Sequence, residues 1–212
     1  GGVPPPGPGD CFAGVARSLN FYPVGTEKAE DGVGMLCFGF GKTVVDNGMA
    51  FRFSPTYPKR NLQYLGGMES SSQTEFYGLD MTKPYTPEGN PENLVPLPLT
   101  EAEKYPEALK HIASTFDSSR GVLVDQLSAE GKKVITFNSI LKYNSFPIAA
   151  IVKDLLRFGE QSLNTPIEIE FACNLNRPKW KKPEFSLLQI RPIVSGAESA
   201  VLQATKGELE RA

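Results

Sequence analysis

The segment from residue 147 to residue 193 constrains the fold most, because one amphipathic helix is followed there by two strands. Pro147 suits the first turn of a helix. After it, apolar residues recur at helical spacing: Ile148, Ile151, Val152, Leu155, Leu156 and Phe158. Residues 167–173 and 185–193 alternate polar and apolar side chains, which is typical of strands. The order helix, strand, strand favours an antiparallel strand pair joined by a basic turn.

The remainder of the chain predicts an α+β protein with a mostly antiparallel sheet and packed helices. Short strands are predicted at residues 14–18, 33–40, 50–53, 73–79, 122–126 and 133–137. A helix is predicted over residues 100–113, and a helical turn over 43–48 ends on Gly48. Residues 55–100 are rich in Pro, Gly, Ser and Asn, and outside the strand at 73–79 they are predicted to be loop.

Composition indicates an ordinary globular protein. Hydrophobic residues make up 40% of the 212 residues and charged residues 22%, and the formal net charge of -2 creates no field that favours nucleic acid or an anionic membrane. No apolar run reaches the roughly 18 residues of a membrane span, and no signal peptide is visible. The cysteines Cys11, Cys37 and Cys173 lie far apart in no metal-binding spacing, which indicates buried, reduced thiols. We expect a cytoplasmic protein with no nucleic-acid and no membrane partner.

The two late strands carry a set of polar residues that could bind a metal and a phosphate. Glu168 and Glu170 share one face of the first strand, and Gln189 and Arg191 share one face of the second. An antiparallel pairing of Glu170 with Gln189 would also bring Glu168 opposite Arg191. Carboxylate and amide oxygens are ligands for Mg²⁺, and arginine binds phosphate oxygens. On spacing alone, however, such residues usually form a solvated cross-strand pair of little energetic value.

Four segments and the helix before the late strands resemble a known family, in the family's order. The late strands contain IEF at residues 169–171 and LLQIRP at 187–192. Upstream lie GVA at 14–16 and GFGKTVVDNG at 39–48. Together they resemble the C-terminal part of the ATP-grasp nucleotide-binding domain of the phosphoenolpyruvate synthase and pyruvate phosphate dikinase family. The motifs of the late strands are specific to this family, whereas the glycine loop alone would be weak evidence for it.

This resemblance implies a set of site residues and cofactors. Glu170 and Gln189 would be ligands of Mg²⁺, and Arg191 would contact the γ-phosphate of ATP as the catalytic residue. The glycine loop would add nucleotide-binding residues: Gly39, Gly41 and Lys42. The implied cofactors are therefore ATP and Mg²⁺. The implied reaction is phosphoryl transfer to a histidine in another domain, with pyruvate bound elsewhere.

The resemblance also implies that the chain is a piece of a larger enzyme and is inactive alone. Residues 11–195 would form a partial ATP-grasp domain, within which 55–130 are a family-divergent insertion region. Residues 1–10 are expected to be a tether, and residues 196–212 a C-terminal helix or linker. The N-terminal ATP-grasp subdomain and the phosphohistidine domain of the same chain are expected outside this sequence. The single histidine, His111, lacks the family's context and is predicted to lie on a helix surface.

Departures from the family pattern leave an alternative open. Lys42 stands where the family has a glutamate, and residues 17–23 replace the family's Thr-Arg-Asn-Pro stretch. The turn between the two late strands is also longer than usual. The alternative is a non-catalytic ATP-grasp-derived module for docking or nucleotide sensing.

Two further interpretations are weaker. Gly41-Lys42-Thr43 ends like a P-loop, but the first glycine of that motif would fall on Leu36. The basic turn with Trp180 could stack on a nucleic-acid base. A solvated hairpin tip is favoured there, because the rest of the chain is acidic.

Overall fold

A computed structural model describes residues 12–45, 49–60, 72–80, 82, 93–104, 106–128, 130–177 and 180–193. The predicted N-terminal tether and the predicted C-terminal helix lie outside the described residues, as do Cys11 and Gly48. The ten strands of the described part are β1 (Phe12–Arg17), β2 (Val33–Phe38), β3 (Phe51–Phe53), β4 (Glu75–Leu79), β5 (Leu94–Pro98), β6 (Ala113–Asp117), β7 (Val122–Val124), β8 (Lys132–Ile135), β9 (Ile167–Asn174) and β10 (Glu184–Pro192). The helices are α1 (Lys42–Val45), α2 (Leu99–Ala102), α3 (Pro106–Leu109), α4 (Asn138–Leu141) and α5 (Ile148–Leu163), with a 3₁₀ turn at Ala29–Asp31.

A five-stranded antiparallel sheet holds the candidate site, with the strand order β10-β9-β1-β2-β3. Its central strand β1 pairs with both β2 and β9, so that Gly14 lies opposite Leu36 on one side and Phe171 on the other. A second sheet pairs β4 with β5, and a third places β6 between β7 and β8. The chain is therefore α+β with antiparallel sheets, as the sequence predicts.

Helix α5 packs against one face of the five-stranded sheet. On β9 the side chains of Ile167, Ile169 and Phe171 are fully buried, and on α5 those of Ile148 and Val152 are fully buried. Removing side chains of this size from water contributes about 1.5–3 kcal/mol each to folding. The alternating pattern of β9 thus places its apolar residues under α5 and leaves its glutamates on the opposite face.

The predicted apolar stripe of α5 is confirmed except at one position. Ile148, Val152 and Leu156 are buried, but Phe158 is 58% exposed. Two residues correspond to about 200° of helix rotation, so Phe158 lies on the far side of α5 from Leu156. The guanidinium of Arg157 lies 5.0 Å from the centre of the Phe158 ring. At 16 residues α5 is the longest helix described, and no described helix is long and apolar enough to cross a membrane.

The predicted helix over residues 100–113 is wrong. Helix α2 ends at Ala102, and a separate short helix begins at Pro106. Proline lacks the N–H that a helix interior needs, and its ring clashes with the preceding turn. From Ala113 onwards the chain forms β6, which pairs with two strands at once. His111 therefore lies in the turn between α3 and β6 and not on a helix.

Two of the three cysteines lie within the described residues, and both are buried free thiols, as predicted. Cys37 is on β2 and Cys173 is on β9. Burial raises the pKa of Cys37 to about 11. This side chain therefore stays a neutral thiol at physiological pH and packs as a small apolar group.

We predict that Gly14→Ala destabilises the chain by about 1–3 kcal/mol. A Cβ atom at Gly14 would lie 2.5 Å from Cζ of Phe171 and 2.7 Å from the carbonyl oxygen of Met35. The phenyl ring could shift slightly, but the backbone of β2 cannot move without disturbing its ladder with β1. Urea unfolding followed by circular dichroism measures the change in the free energy of unfolding.

Gly41→Ala is the matched control. A Cβ atom there would make only an ordinary contact, 3.5 Å from Cβ of Ala13. We expect its free energy of unfolding to change by less than about 1 kcal/mol. Equal stability of the two variants would contradict the close packing at the centre of the sheet.

Candidate phosphate-binding site

The face of the five-stranded sheet opposite α5 borders a cavity of about 520 Å³. This volume lies within the roughly 300–1,000 Å³ that is typical of small-molecule sites. The floor of the cavity is apolar and consists of Val15 on β1 with Val33 and Met35 on β2. Charged side chains flank this floor, from β9 and β10 on one side and from β3 on the other. We call the face of the sheet that carries Val15, Met35, Glu168, Glu170 and Arg191 the cavity face.

The register of β9 and β10 is the one that the sequence predicts. Gln189 lies opposite Glu170, and Arg191 lies opposite Glu168. An irregularity between Leu187 and Gln189 leaves Leu188 without a partner, so that two residues of β10 span one step of β9. Beyond this bulge the two polar residues of β10 share the cavity face with the two glutamates of β9.

Glu168 is the centre of the charged side of the cavity face. Its side chain is only 5% exposed. One carboxylate oxygen accepts a hydrogen bond from Nε of Arg17 at 2.6 Å, and the other accepts one from Nε of Arg191 at 2.8 Å. Burial alone would raise the pKa of Glu168, but the hydrogen bonds from Arg17 and Arg191 hold that pKa below its ordinary value. The carboxylate is therefore ionised at neutral pH and holds two guanidinium groups side by side.

Glu170 and Gln189 lie next to this cluster. Glu170 lines the cavity and is half-buried, and one of its oxygens lies 3.7 Å from a guanidinium nitrogen of Arg191. Gln189 is exposed, and although its register gives it the same face, it is not among the residues that line the cavity. The structure thus brings Glu170, Arg191 and Glu168 together, with Gln189 at the edge of the group.

The opposite side of the cavity is formed by β3 and by the loop between β1 and β2. Arg52 donates two hydrogen bonds to the carboxylate of Glu27, at 3.2 and 2.5 Å. Burial alone would raise the pKa of Glu27, but hydrogen bonds, led by those from Arg52, hold that pKa below its ordinary value. Glu27 also accepts a hydrogen bond from Asn20 at 3.1 Å, which ties down a loop that carries Phe21 and Tyr22. These two aromatic side chains form the exposed rim of the cavity.

The glycine loop lies beside the cavity and not in its lining. Gly39 has a positive φ of 81°, in the region that favours glycine, and a Cβ there would lie 3.3 Å from the carbonyl oxygen of Tyr77. The ammonium nitrogen of Lys42 lies 5.3 Å from the centre of the Tyr77 ring. Gly39, Gly41 and Lys42 do not line the cavity. Val44, which lies on α1 together with Lys42, does line it.

The protein atoms of the site offer few metal ligands. Within the described ranges, no group of three or more His, Cys, Asp or Glu side chains is arranged to hold a metal ion. On the cavity face the available oxygens are the carboxylates of Glu168 and Glu170 and the amide of Gln189. Since Glu168 is already bonded to two arginines, Glu170 and Gln189 are the remaining carboxylate and amide of β9 and β10 on this face. Mg²⁺ at phosphate sites is commonly held by one or two carboxylates, with phosphate and water oxygens completing the shell.

Four residues that border the cavity or brace its wall lie outside the sequence motifs: Arg17, Arg52, Glu27 and Tyr22. Arg17 follows Val15 by two positions on a predicted strand, so the sequence could have placed both on one face. On β3 the same alternation places Arg52 on the face opposite the buried side chains of Phe51 and Phe53. Neither pattern reveals that β1 lies between β9 and β2, which is what brings the arginines to one cavity.

No protein-family model matches this chain, and a search of curated proteins finds no match. The family resemblance therefore depends on the sequence motifs quoted above.

We predict that Glu168→Gln destabilises the chain by roughly 1–2 kcal/mol at pH 7, because two arginines lose their shared carboxylate. The fold lowers the pKa of Glu168 below 4.5, so its contribution is present above pH 4.5 and is lost as the pH falls through the folded-state value. The stability difference between wild type and variant therefore shrinks on acidification from neutral pH. Urea unfolding at a series of pH values measures this difference.

Glu170→Gln is the control on the same strand. Its carboxylate makes one long ion pair, at 3.7 Å from an arginine that is 53% exposed, and we expect a loss below about 1 kcal/mol. A loss in Glu168→Gln that equals the control, or that does not vary with pH, would contradict the central role of Glu168.

Proposed function

We propose that this chain supplies part of the Mg²⁺–ATP phosphate-binding wall of an ATP-dependent phosphotransferase that resembles phosphoenolpyruvate synthase and pyruvate phosphate dikinase. The observation that carries the proposal is the register of β9 and β10, with Gln189 opposite Glu170 and Arg191 opposite Glu168. An acid, an amide and a guanidinium thus share one sheet face beside a cavity large enough for a small molecule. In this proposal the α+β chain is the C-terminal part of an ATP-grasp domain.

Glu170 and Gln189 hold Mg²⁺ in this proposal. Glu170 supplies a half-buried carboxylate at the cavity wall, and Gln189 supplies an amide oxygen from the neighbouring strand. Both oxygen types suit a hard cation, and two protein ligands leave room for phosphate and water oxygens. When bound, Mg²⁺ would offset the negative charge of the terminal phosphates.

Arg191 contributes to phosphoryl transfer through its charge. Its side chain is 53% exposed at the cavity while its guanidinium is held by the buried carboxylate of Glu168. The hydrogen bond and the charge of Glu168 raise the pKa of Arg191 further, so the side chain stays cationic. A cation fixed before the reaction stabilises negative charge that spreads over phosphate oxygens in the transition state, without having to reorganise.

The phosphate acceptor lies outside this site. His111 is the only histidine of the sequence, and it lies between α3 and β6 and is not among the residues that line the cavity. Burial, and then the charge of Lys110, lower the pKa of His111. We propose that the phosphoryl group passes to a histidine in another domain of the same protein, and then to an acceptor such as pyruvate bound elsewhere. The N-terminal ATP-grasp subdomain would form the opposite wall of the nucleotide site.

The cytoplasm is the proposed compartment of this reaction. Cys37 and Cys173 are buried free thiols, which suits a reducing environment. The net charge of -2 gives no reason to expect nucleic acid or membrane as a partner.

A second candidate function is a non-catalytic module for docking or nucleotide sensing, and Lys42 is the observation that favours it. The family has a glutamate at this position, whereas the ammonium group of Lys42 lies over the Tyr77 ring. A module of this kind would bind Mg²⁺–ATP without transferring phosphate. Product formation therefore separates the two functions.

We predict that the full-length protein forms AMP from ATP in the presence of pyruvate, and that Glu170→Ala lowers the rate at least about 100-fold. The expected loss follows from removal of a carboxylate that holds the metal at the terminal phosphates. Chromatographic measurement of AMP at saturating Mg²⁺ gives the rate.

Glu184→Ala is the matched control, because Glu184 lies on the partner strand β10 and pairs with Arg177 at the other end of the hairpin. It is expected to keep the wild-type rate. Unchanged turnover in Glu170→Ala would remove the proposed metal ligand. Nucleotide binding without AMP in the wild type would favour the sensing module.

A further inference from the structure

We propose that Arg17 binds the same phosphoryl group as Arg191, and that Glu168 holds the two guanidinium groups at the spacing that this requires. The inference rests on the proposed function and adds a residue that the family motifs do not supply. Arg17 lies on β1, within the stretch that replaces the family's Thr-Arg-Asn-Pro.

The three side chains form a row across adjacent strands. Glu168 on β9 is the register partner of Arg17 on β1 and also of Arg191 on β10. Neighbouring strands are about 4.8 Å apart, so the two arginine backbones are separated by roughly 10 Å. Their side chains nevertheless converge, because each donates its Nε–H to a different oxygen of the same carboxylate, at 2.6 and 2.8 Å.

Arg17 decides the balance of charge around the row. Glu168 is ionised, since its hydrogen bonds with the arginines hold its pKa below the ordinary value. Glu170 adds a second carboxylate, with one oxygen 3.7 Å from a guanidinium nitrogen of Arg191. Arg17 and Arg191 together offset the two carboxylates, whereas Arg191 alone would leave a net negative charge that repels phosphate. Binding of an anion here therefore depends on Arg17.

The three side chains of the row differ in their exposure to solvent. The side chain of Glu168 is 5% exposed, whereas those of Arg17 and Arg191 are 38% and 53% exposed and both line the cavity. The carboxylate thus lies beneath the two guanidinium groups. Each guanidinium has five N–H donors in a planar fork, a geometry that suits phosphate oxygens. One phosphoryl group can therefore contact both arginines above the buried carboxylate.

Arg157 provides a comparison away from the cavity. It lies on α5, which packs against the other face of the sheet, and its guanidinium pairs with Asp154 at 3.1 Å. Its side chain is 59% exposed and is not among those that line the cavity. Removal of Arg157 therefore changes the net charge of the protein by the same amount as removal of Arg17, without touching the row.

The test is a titration of the purified chain with inorganic tripolyphosphate, without metal and at constant ionic strength, followed by amide chemical shifts in NMR spectra. We expect saturable shifts on β1, β9 and β10 with a Kd on the order of millimolar. Arg17→Met and Arg191→Met are each expected to weaken binding about 3- to 10-fold. Arg157→Met is expected to change the Kd less than about twofold. Arg17→Gln, which keeps a donor for Glu168 but removes the charge, replaces Arg17→Met if that variant does not fold.

Each other outcome overturns the inference. Weakening by Arg191→Met but not by the Arg17 variants would reject Arg17 as a contact and leave the proposed function intact. Equal weakening by Arg157→Met would show a general charge effect in place of a defined contact. The absence of any saturable shift on the cavity face of the wild type would reject the inference together with the proposed phosphate site.

Discussion

The carboxylate of Glu168 is the group on which the chemistry of the cavity face depends. It is nearly excluded from solvent, and it stays charged because two arginines from different strands donate to its two oxygens. An ionised carboxylate is costly to bury without such partners, so the ion pairs join β1, β9 and β10 through side chains as well as through the ladder. The same contacts fix the guanidinium groups at the mouth of a cavity. The ion pairs that stabilise the sheet are therefore the same ones on which the proposed anion site depends.

The two faces of the sheet differ in character. Strand β9 alternates isoleucine and phenylalanine with glutamate, so one face packs under α5 while the other carries charge. The central position of β1 brings Arg17 next to β9 and the apolar floor next to both. A bulge in β10 adjusts the register so that Gln189 meets Glu170 while Leu187 still meets Phe171. The cavity face is thus a consequence of strand order and of one local irregularity.

The sequence predicts this arrangement well where periodicity and proximity along the chain decide it. Helix α5, strands β9 and β10 and their register follow from residues within about fifty positions of one another. The sequence fails where tertiary pairing decides the structure. The predicted helix over residues 100–113 runs across Pro106 and ends on Ala113, where β6 begins, and β5 contains Pro96 and Pro98, which argue against a strand. The contact of Arg17 with Glu168 spans 151 positions, and only the order of the strands reveals it.

We propose that Mg²⁺–ATP binds at the cavity face through β9 and β10. The most direct measurement is the anomalous scattering of Mn²⁺, in place of Mg²⁺, in crystals of the full-length protein with a non-hydrolysable ATP analogue. The account predicts an anomalous peak in contact with the Glu170 carboxylate and the Gln189 amide oxygen, with the γ-phosphate beside Arg191. A metal bound beside Gly39 and Lys42 instead, or a nucleotide that does not contact β9 and β10, would contradict it.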